Sequence, residues 1–191
     1  MSQYVCTFRG RRDNYQVPLA LAEAGMLDEL ITDFYALPSL EKIARFLPDR
    51  WQKKIAFRTH PDLPSDRIRC LWGTTLLENT RHALGFSRAA TFDIFDRIFS
   101  QKAAARARSK QSHLLMYTPY AWEAFRTSYT HYPRKVLFQF HPHADAELQL
   151  LTEDVKQFPC VQNSYQQETL KYQVQSQARV KDCWQYADLI L

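Results

Sequence analysis

Apolar residues along this chain form two kinds of pattern: short unbroken runs, and longer segments in which they recur every third or fourth position. Unbroken runs that end at polar or turn-forming residues are typical of buried β-strands, although a buried helical segment can show the same pattern. The runs predict strands at residues 4–8, 27–35, 113–117, 135–140 and 187–191.

Segments with helical spacing lie between these strands. The first helix is predicted to begin at Val17, with Pro18 in its first position, and to end at Gly25. Further helices are predicted at residues 39–47, 50–57, 76–84, 92–107, 119–127, 145–156 and 164–186.

The alternation of strands and helices predicts the fold class. It favours an α/β domain of Rossmann-like, three-layer architecture, in which helices cover both faces of a mostly parallel sheet. The unbroken runs at 113–117 and 135–140 predict central strands, whereas residues 67–72 alternate and predict a strand nearer the edge. Four prolines divide the segment that follows the second strand, and we interpret residues 38–110 as a helical insertion.

Length and charge narrow the class of protein. The 191 residues fit one domain of ordinary size. A net charge of +5 suits an acidic partner such as a nucleotide diphosphate or an anionic lipid surface, and no recognised nucleic-acid-binding module is found.

The four cysteines lack the paired spacing of zinc or redox motifs. Because the chain has no signal-peptide pattern and no apolar stretch of about 18 residues, a cytoplasmic protein is predicted.

The run at 135–140 leads into two histidines, His141 and His143, which flank a proline. In parallel sheets, ligands bind at the carboxyl ends of the strands, so these imidazoles are candidate site residues. They suit a contact to a donor sugar or phosphate, a general base, or a pair of metal ligands. In the alternative interpretation, one histidine caps the next helix and the other is exposed.

The turn after the first strand is a candidate phosphate site. Gly10 permits close approach of a ligand, and Arg9, Arg11 and Arg12 supply guanidinium groups that match phosphate oxygens. The alternative is a solvated loop, since the turn has no G-x-G-x-x-G pattern.

Two further segments are candidates for binding. Tyr117, Tyr120, Trp122 and Glu123 lie at and after the end of the run at 113–117. If this strand and the strand at 135–140 lie side by side, these residues and the two histidines line one crevice, although aromatic residues there are also typical of a core. The basic residues from 102 to 110 suit contact with an anionic membrane or an acidic substrate, or form a solvated helix face.

Four segments together resemble the amino-terminal half of a GT-B glycosyltransferase of the retaining, family-four type. They are YVCTFRGRRDNYQVPLALAEAGMLDELITDFY, LLMYTPYAWEAF, KVLFQFHPHADAELQLLTED and the closing YADLIL. The resemblance implies a Rossmann-like domain spanning 1–191 on the acceptor side, one half of a GT-B fold. In that family a second domain follows and holds most of the donor nucleotide, and no second domain is found in these 191 residues.

The resemblance also assigns roles to residues. The turn after the first strand would face the diphosphate, which implies contacts from Gly10, Arg11 and Arg12. The histidine after a central strand would contact the donor sugar, which implies His141, with His143 as the alternative. Contacts to a glycan or lipid acceptor would come from the neighbouring turn, at Tyr117, Tyr120, Trp122 and Glu123.

The resemblance implies transfer of a sugar from a nucleotide-sugar to an acceptor with retention of configuration, with the nucleotide-sugar as substrate and no cofactor. The expected partners are the nucleotide-sugar, the acceptor and the missing second domain, and little activity is expected from this chain alone. Two alternatives remain from the residues: a binding module, free-standing or paired with a separately encoded half, and a metal-dependent hydrolase that uses His141 and His143.

Overall fold

A computed structural model describes residues 2–37, 40, 43–118, 120–126, 134–140, 142–159 and 182–191. Its centre is a six-stranded sheet in the order β3-β2-β1-β4-β5-β6, and every neighbouring pair of strands is parallel. The strands are β1 (Tyr4–Thr7), β2 (Leu27–Thr32), β3 (Ile68–Cys70), β4 (His113–Tyr117), β5 (Lys135–Phe138) and β6 (Leu189–Ile190). The predicted α/β class and parallel sheet are confirmed.

Six described helices connect these strands: α1 (Gln16–Glu23), α2 (Asp49–Ala56), α3 (Trp72–Ala83), α4 (Arg88–Lys110), α5 (Trp122–Arg126) and α6 (Ala144–Gln157). Short 3-10 turns occur at Asp13–Tyr15, Ser65–Arg67 and Cys183–Tyr186. Parallel crossovers are right-handed, so the reversal of strand order after β3 places α1 on one face and α4 with α5 on the other. The fold is therefore Rossmann-like and three-layered.

Strand positions follow from the apolar pattern. β4 is fully buried and lies between β1 and β5, as its unbroken apolar run predicts. β5 also has a hydrogen-bonded neighbour on each side. β3 is an edge strand with partly exposed residues, as the alternation at 67–72 predicts.

The core lies between the sheet and the long helix α4. Ala103 and Ala107 of α4 are fully buried and belong to one cluster with Val5, Leu114 and Leu137 of the strands. Small alanine side chains let the helix backbone approach the sheet closely, so α4 sits directly over β1 and β4. No helix within the described ranges combines the length and the apolar character that a membrane crossing requires.

The carboxyl-terminal end of α4 is fixed to β2 by charge. The Arg106 guanidinium donates two hydrogen bonds to the Glu29 carboxylate, at 2.7 and 2.8 Å. Lys110 and Ser112 both donate to the Asp28 carboxylate, at 2.6 Å for Lys110. Burial acts to raise the pKa of Asp28, but the hydrogen bonds from Lys110 and Ser112 outweigh it and hold the pKa below its usual value.

Several predicted boundaries differ from the observed ones. α1 begins at Gln16 rather than Val17, because a turn at 13–15 leads the chain into the helix before Pro18. The helix after β4 begins at Trp122 rather than 119. Gly25 ends α1 as predicted, with a φ of +66° and its N–H bonded to the Ala22 carbonyl. Most of the helix predicted at 164–186, and residues 39, 41 and 42 of the helix predicted at 39–47, lie outside the described residues.

Candidate functional site

The order of strands reverses between β1 and β4, which neighbour each other although β2 and β3 intervene in the chain. Ligands of open α/β sheets bind at such a reversal, beyond the carboxyl ends of the strands. Here the turn after β1, residues 8–14, faces residues 118, 120 and 121 after β4. We call the space beside these two turns the crevice.

The first part of the β1 turn is held by Asp33, which follows β2. The Gly10 N–H donates to Asp33 Oδ1 at 2.8 Å, and the Arg58 guanidinium donates to Asp33 Oδ2 at 3.1 Å. Gly10 has a φ of +81°, a conformation that other residues adopt only with strain. Its amide is therefore already committed to a protein carboxylate.

The second part of the β1 turn is left-handed. Asp13, Asn14 and Tyr15 have φ values of 40°, 54° and 64°, three consecutive non-glycine residues in a region that each adopts at a cost. Backbone strain of this kind persists only where the surrounding structure enforces it, and it concentrates at functional sites. The turn after β1 is thus the most strained part of the described backbone.

This turn closes the amino-terminal end of α1. The Gln16 N–H donates to the Asp13 carbonyl, the Val17 N–H donates to Asp13 Oδ2 at 3.1 Å, and Pro18 has no N–H. Dinucleotide-binding Rossmann domains use the free amides at this position to hold a pyrophosphate. In this chain the carboxylate of Asp13 accepts the Val17 amide in place of a pyrophosphate oxygen.

Asp13 and Tyr117 lie side by side beneath the turn. Burial raises the pKa of Asp13, although the nearby Tyr117 hydroxyl and the hydrogen bond from the Val17 amide act to lower it. The Tyr117 hydroxyl lies beside the carboxylate but outside good hydrogen-bond geometry, and burial is also the main cause that raises the pKa of Tyr117. Tyr117 is fully buried and packs on Phe8 and Phe138, so it lines the core beneath the crevice.

Arg12 joins the two turns. Its Nη2 donates to the Tyr120 hydroxyl oxygen at 2.9 Å, and its guanidinium carbon lies 5.9 Å from the Tyr120 ring centre and 5.7 Å from that of Phe140. Burial raises the pKa of Tyr120, against the lowering effect of Arg12, so the hydroxyl stays protonated. The cation is held between two aromatic rings where β1, β4 and β5 end.

The other two arginines of the turn have different surroundings. Arg11 donates to the Phe57 carbonyl at 3.0 Å and stacks on the Phe57 ring at 4.5 Å. Arg9 forms ion pairs with Glu78 of α3 and Asp96 of α4. Arg9 therefore links the sheet to α3 and α4, whereas Arg11 and Arg12 border the crevice.

The predicted acceptor residues do not all meet at the crevice. Tyr120 reaches it through Arg12, but Trp122 and Glu123 lie on α5 and make their contacts elsewhere. The Arg126 guanidinium stacks on the Trp122 ring at 4.2 Å, and Arg97 of α4 lies 3.7 Å from the Glu123 carboxylate. The Glu123 contact links α5 to α4, whereas the Trp122 contact lies within α5.

The two histidines after β5 are described only in part. His143 is exposed and caps α6, with its Nδ1 accepting the Asp145 N–H at 3.4 Å. His141 lies outside the described residues. Among the described side chains, no group of three or more His, Cys, Asp or Glu residues is arranged to hold a metal ion.

Sequence reasoning overlooked two kinds of residue at this site. Phe57 and Phe140 serve as ring platforms for Arg11 and Arg12, and Asp13 closes α1. The sequence signal for Asp13 was an acidic residue shortly before the predicted start of a helix, where a negative charge is stabilising. Phe57 carried no such signal, because it lies 46 residues from Arg11 along the chain.

No protein-family model, no curated protein and no solved structure matches this chain. The chemistry of the crevice is therefore the basis for a functional assignment. It offers two guanidinium groups beside aromatic rings, the partly buried carboxylate of Asp13, and a helix terminus whose first amides are occupied.

Proposed function

We propose that this chain is the acceptor-side domain of a glycosyltransferase that transfers a sugar from a nucleotide-sugar donor. The observation that carries the proposal is the position of Arg12 at the reversal of strand order, held between Tyr120 and Phe140. A guanidinium fork at this position suits the oxygens of a nucleotide diphosphate, which it binds through charge-assisted hydrogen bonds.

The closed terminus of α1 favours this assignment over a dinucleotide-binding domain. In a dinucleotide site the pyrophosphate lies against free helix amides, and here Asp13 accepts the amide of Val17. A diphosphate at the crevice would instead meet the side chains of Arg11 and Arg12 from outside the sheet. That approach suits a donor held mostly by a second domain facing this edge, in the same chain or another.

In this proposal the domain acts by positioning and electrostatics. Arg12 would stabilise the negative charge that develops on the leaving diphosphate, a contribution that grows in the transition state. The partly exposed ring of Phe140 would pack against an apolar face of the donor. His141 and His143 remain the candidates for contact with the donor sugar, and retention of configuration follows the resembled family.

The experiment is an NMR titration of the ¹⁵N-labelled chain with uridine, guanosine and adenosine diphosphate sugars. We expect one of the three to shift the resonances of Gly10, Arg12 and His143. Replacing Arg12→Met should weaken that binding by about 10-fold or more, the effect of losing a charge-assisted hydrogen bond. Arg69→Met removes an exposed arginine of the edge strand β3 and serves as the matched control.

Two results would refute the proposal. One is an absence of binding by all three diphosphate sugars at millimolar concentration. The other is binding that weakens equally in Arg12→Met and Arg69→Met, because the contact would then be non-specific attraction to a basic protein.

A further inference from the structure

A second surface, separate from the crevice, combines exposed apolar side chains with positive charge. It consists of α2 and the residues that flank it, 43–57, and we call it the basic aromatic surface. Phe46 is 90% exposed, although phenylalanine is a residue that folding normally buries. The other exposed apolar side chains of this segment are Ile43, Leu47, Trp51 and Phe57. So many in 15 consecutive residues indicate an interaction surface rather than scattered exposure.

The exposure results from how the segment is anchored. Ile55 of α2 is buried against Ala36 and Ala44, and the Ala36 N–H donates to the Arg58 carbonyl at 2.8 Å. The Gln52 side chain donates to the Leu47 carbonyl at 2.8 Å, which ties the preceding turn to the helix. With Ile55 directed inward, the helical period places Arg50 and Lys53 on the opposite face of α2, and Lys54 is exposed at its side.

Positive charge dominates the same segment. Residues 43–57 contain four basic side chains, Arg45, Arg50, Lys53 and Lys54, and one acidic side chain, Asp49. Arg50 and Lys54 lie 5.7 and 5.2 Å from the ring centre of Trp51, so cations surround the exposed indole. Within the described part of the chain, none of the four cations has a carboxylate partner among the ion pairs.

We propose that the basic aromatic surface docks onto an anionic lipid bilayer. At a membrane interface, aromatic and aliphatic side chains enter the boundary of the acyl chains while lysine and arginine remain among the phosphate groups. A bilayer interface therefore accommodates both the exposed apolar side chains and the cations of this surface. An apolar protein partner would instead bury the four cations without counter-charges, which is costly.

Nucleic acid is the other polyanion to consider. Single strands stack their bases on aromatic side chains, but Ile43 and Leu47 offer no stacking face and bury no area against a phosphate chain. The aliphatic part of the surface therefore favours a bilayer over a nucleic acid.

This surface differs from the basic segment that the sequence suggested for membrane contact. At the end of α4, Arg106 is bound to Glu29 and Lys110 to Asp28, so two of the four basic side chains of that segment are paired with carboxylates within the protein. The basic aromatic surface, by contrast, extends to the crevice, since the Arg11 guanidinium stacks on the ring of Phe57 at the end of this surface. Docking would bring the crevice near the lipid headgroups. The experiments below test docking independently of the transferase proposal.

The first test is co-sedimentation with vesicles of phosphatidylcholine alone and of phosphatidylcholine with 30% phosphatidylglycerol. We expect binding only to the anionic vesicles. Lys53→Gln with Lys54→Gln should weaken it by about 30-fold, the expectation for two cations at a charged bilayer. The double variant Lys102→Gln with Lys156→Gln removes the same charge from exposed positions on α4 and α6, and should bind almost as the parent chain does. Equal weakening in both pairs, or no binding to anionic vesicles, would overturn the proposal.

The second test measures how deeply the basic aromatic surface enters the bilayer. Trp51 and Trp184 are 46% and 45% exposed, on different parts of the molecule. Brominated lipids should quench the tryptophan fluorescence of the bound chain, and Trp51→Phe should remove most of that quenching whereas Trp184→Phe leaves it. The same loss in both variants would contradict docking through this surface.

Phe46→Ser gives a third readout, with Leu150→Ser on α6 as the control at another exposed apolar position. Weaker vesicle binding in Phe46→Ser alone supports the proposal. Two outcomes would replace it: dissociation of a dimer by Phe46→Ser in sedimentation velocity, which assigns the surface to a second copy, or tighter binding to a poly(U) strand than to vesicles.

Discussion

The Arg12 guanidinium donates a hydrogen bond of 2.9 Å to the Tyr120 hydroxyl, and this contact joins the turns after β1 and β4. Tyr120 is itself buried and packs on Phe99 of α4, with ring centres 5.9 Å apart. The phenol therefore gives Arg12 a fixed anchor on the core. A cation positioned in this way loses less conformational entropy when it binds an anion than a free surface arginine does.

Replacing Tyr120→Phe should remove that anchor and preserve the packing. We expect a loss of about 1 kcal/mol in the free energy of unfolding, because Arg12 is partly exposed and water can replace the lost acceptor. Urea denaturation measures the change. Tyr186→Phe at an exposed position is the control, and equal effects in the two variants would show that the Arg12 contact contributes nothing.

Arg9 should be far more important for stability than Arg11, although the two lie in one short basic run. Arg9→Met removes the ion pairs to two buried carboxylates, Glu78 and Asp96, which we expect to cost about 3–5 kcal/mol. Arg11→Met removes a contact to a carbonyl and an exposed ring, which should cost less than about 1 kcal/mol. Comparable losses in urea denaturation would mean that the ion pairs of Arg9 are not a structural link.

These arginines show how far sequence reasoning extends in this protein. The sheet was predictable because burial of β4 on both faces leaves an unbroken apolar run, and exposure of β3 leaves an alternating one. The separate roles of Arg9, Arg11 and Arg12 were not predictable, since all three lie in one polar turn. Their partners, Glu78, Phe57 and Tyr120, come from three distant segments, and only the tertiary structure brings them together.

The turns after β1 and β4 were predicted to lie at the same edge of the sheet, because parallel strands bring their carboxyl ends to one edge, and the pairing of β1 with β4 makes them neighbours. An expected helix start at Val17 did not predict that Asp13 occupies the first amides of α1. A left-handed turn at Asp13–Tyr15 is unfavourable for non-glycine residues, so local preference argues against it. The burial of Tyr15 and the capping by Asp13 compensate for that cost.

Asp28 should contribute to stability only where its carboxylate is charged. Hydrogen bonds from Lys110 and Ser112 outweigh burial and hold its pKa below the usual value. A lowered folded-state pKa stabilises the protein above the unfolded pKa of about 4, and this contribution disappears as pH falls through the folded-state value. Asp28→Asn should therefore lose stability at pH 7, by less than about 1 kcal/mol because the pair is partly solvated. A difference from the parent chain that persists unchanged at pH 2.5 would contradict this.

Asp13 should behave in the opposite way. Burial raises its pKa, so folding favours the protonated carboxyl, and ionisation costs stability as pH rises from about 4 through the folded-state value. Asp13→Asn keeps an oxygen that accepts the Val17 amide and removes the charge. We expect the variant to be at least as stable as the parent chain at pH 7, and to lose that advantage below about pH 4 in urea denaturation. Removing a negative charge beside Arg12 should also strengthen the binding of a diphosphate sugar, which the NMR titration measures. Asn14→Ala, an exposed neighbour in the same turn, controls for changes in the turn itself. A stability loss in Asp13→Asn that is the same at pH 4 and pH 7 would show that the carboxylate acts by geometry alone.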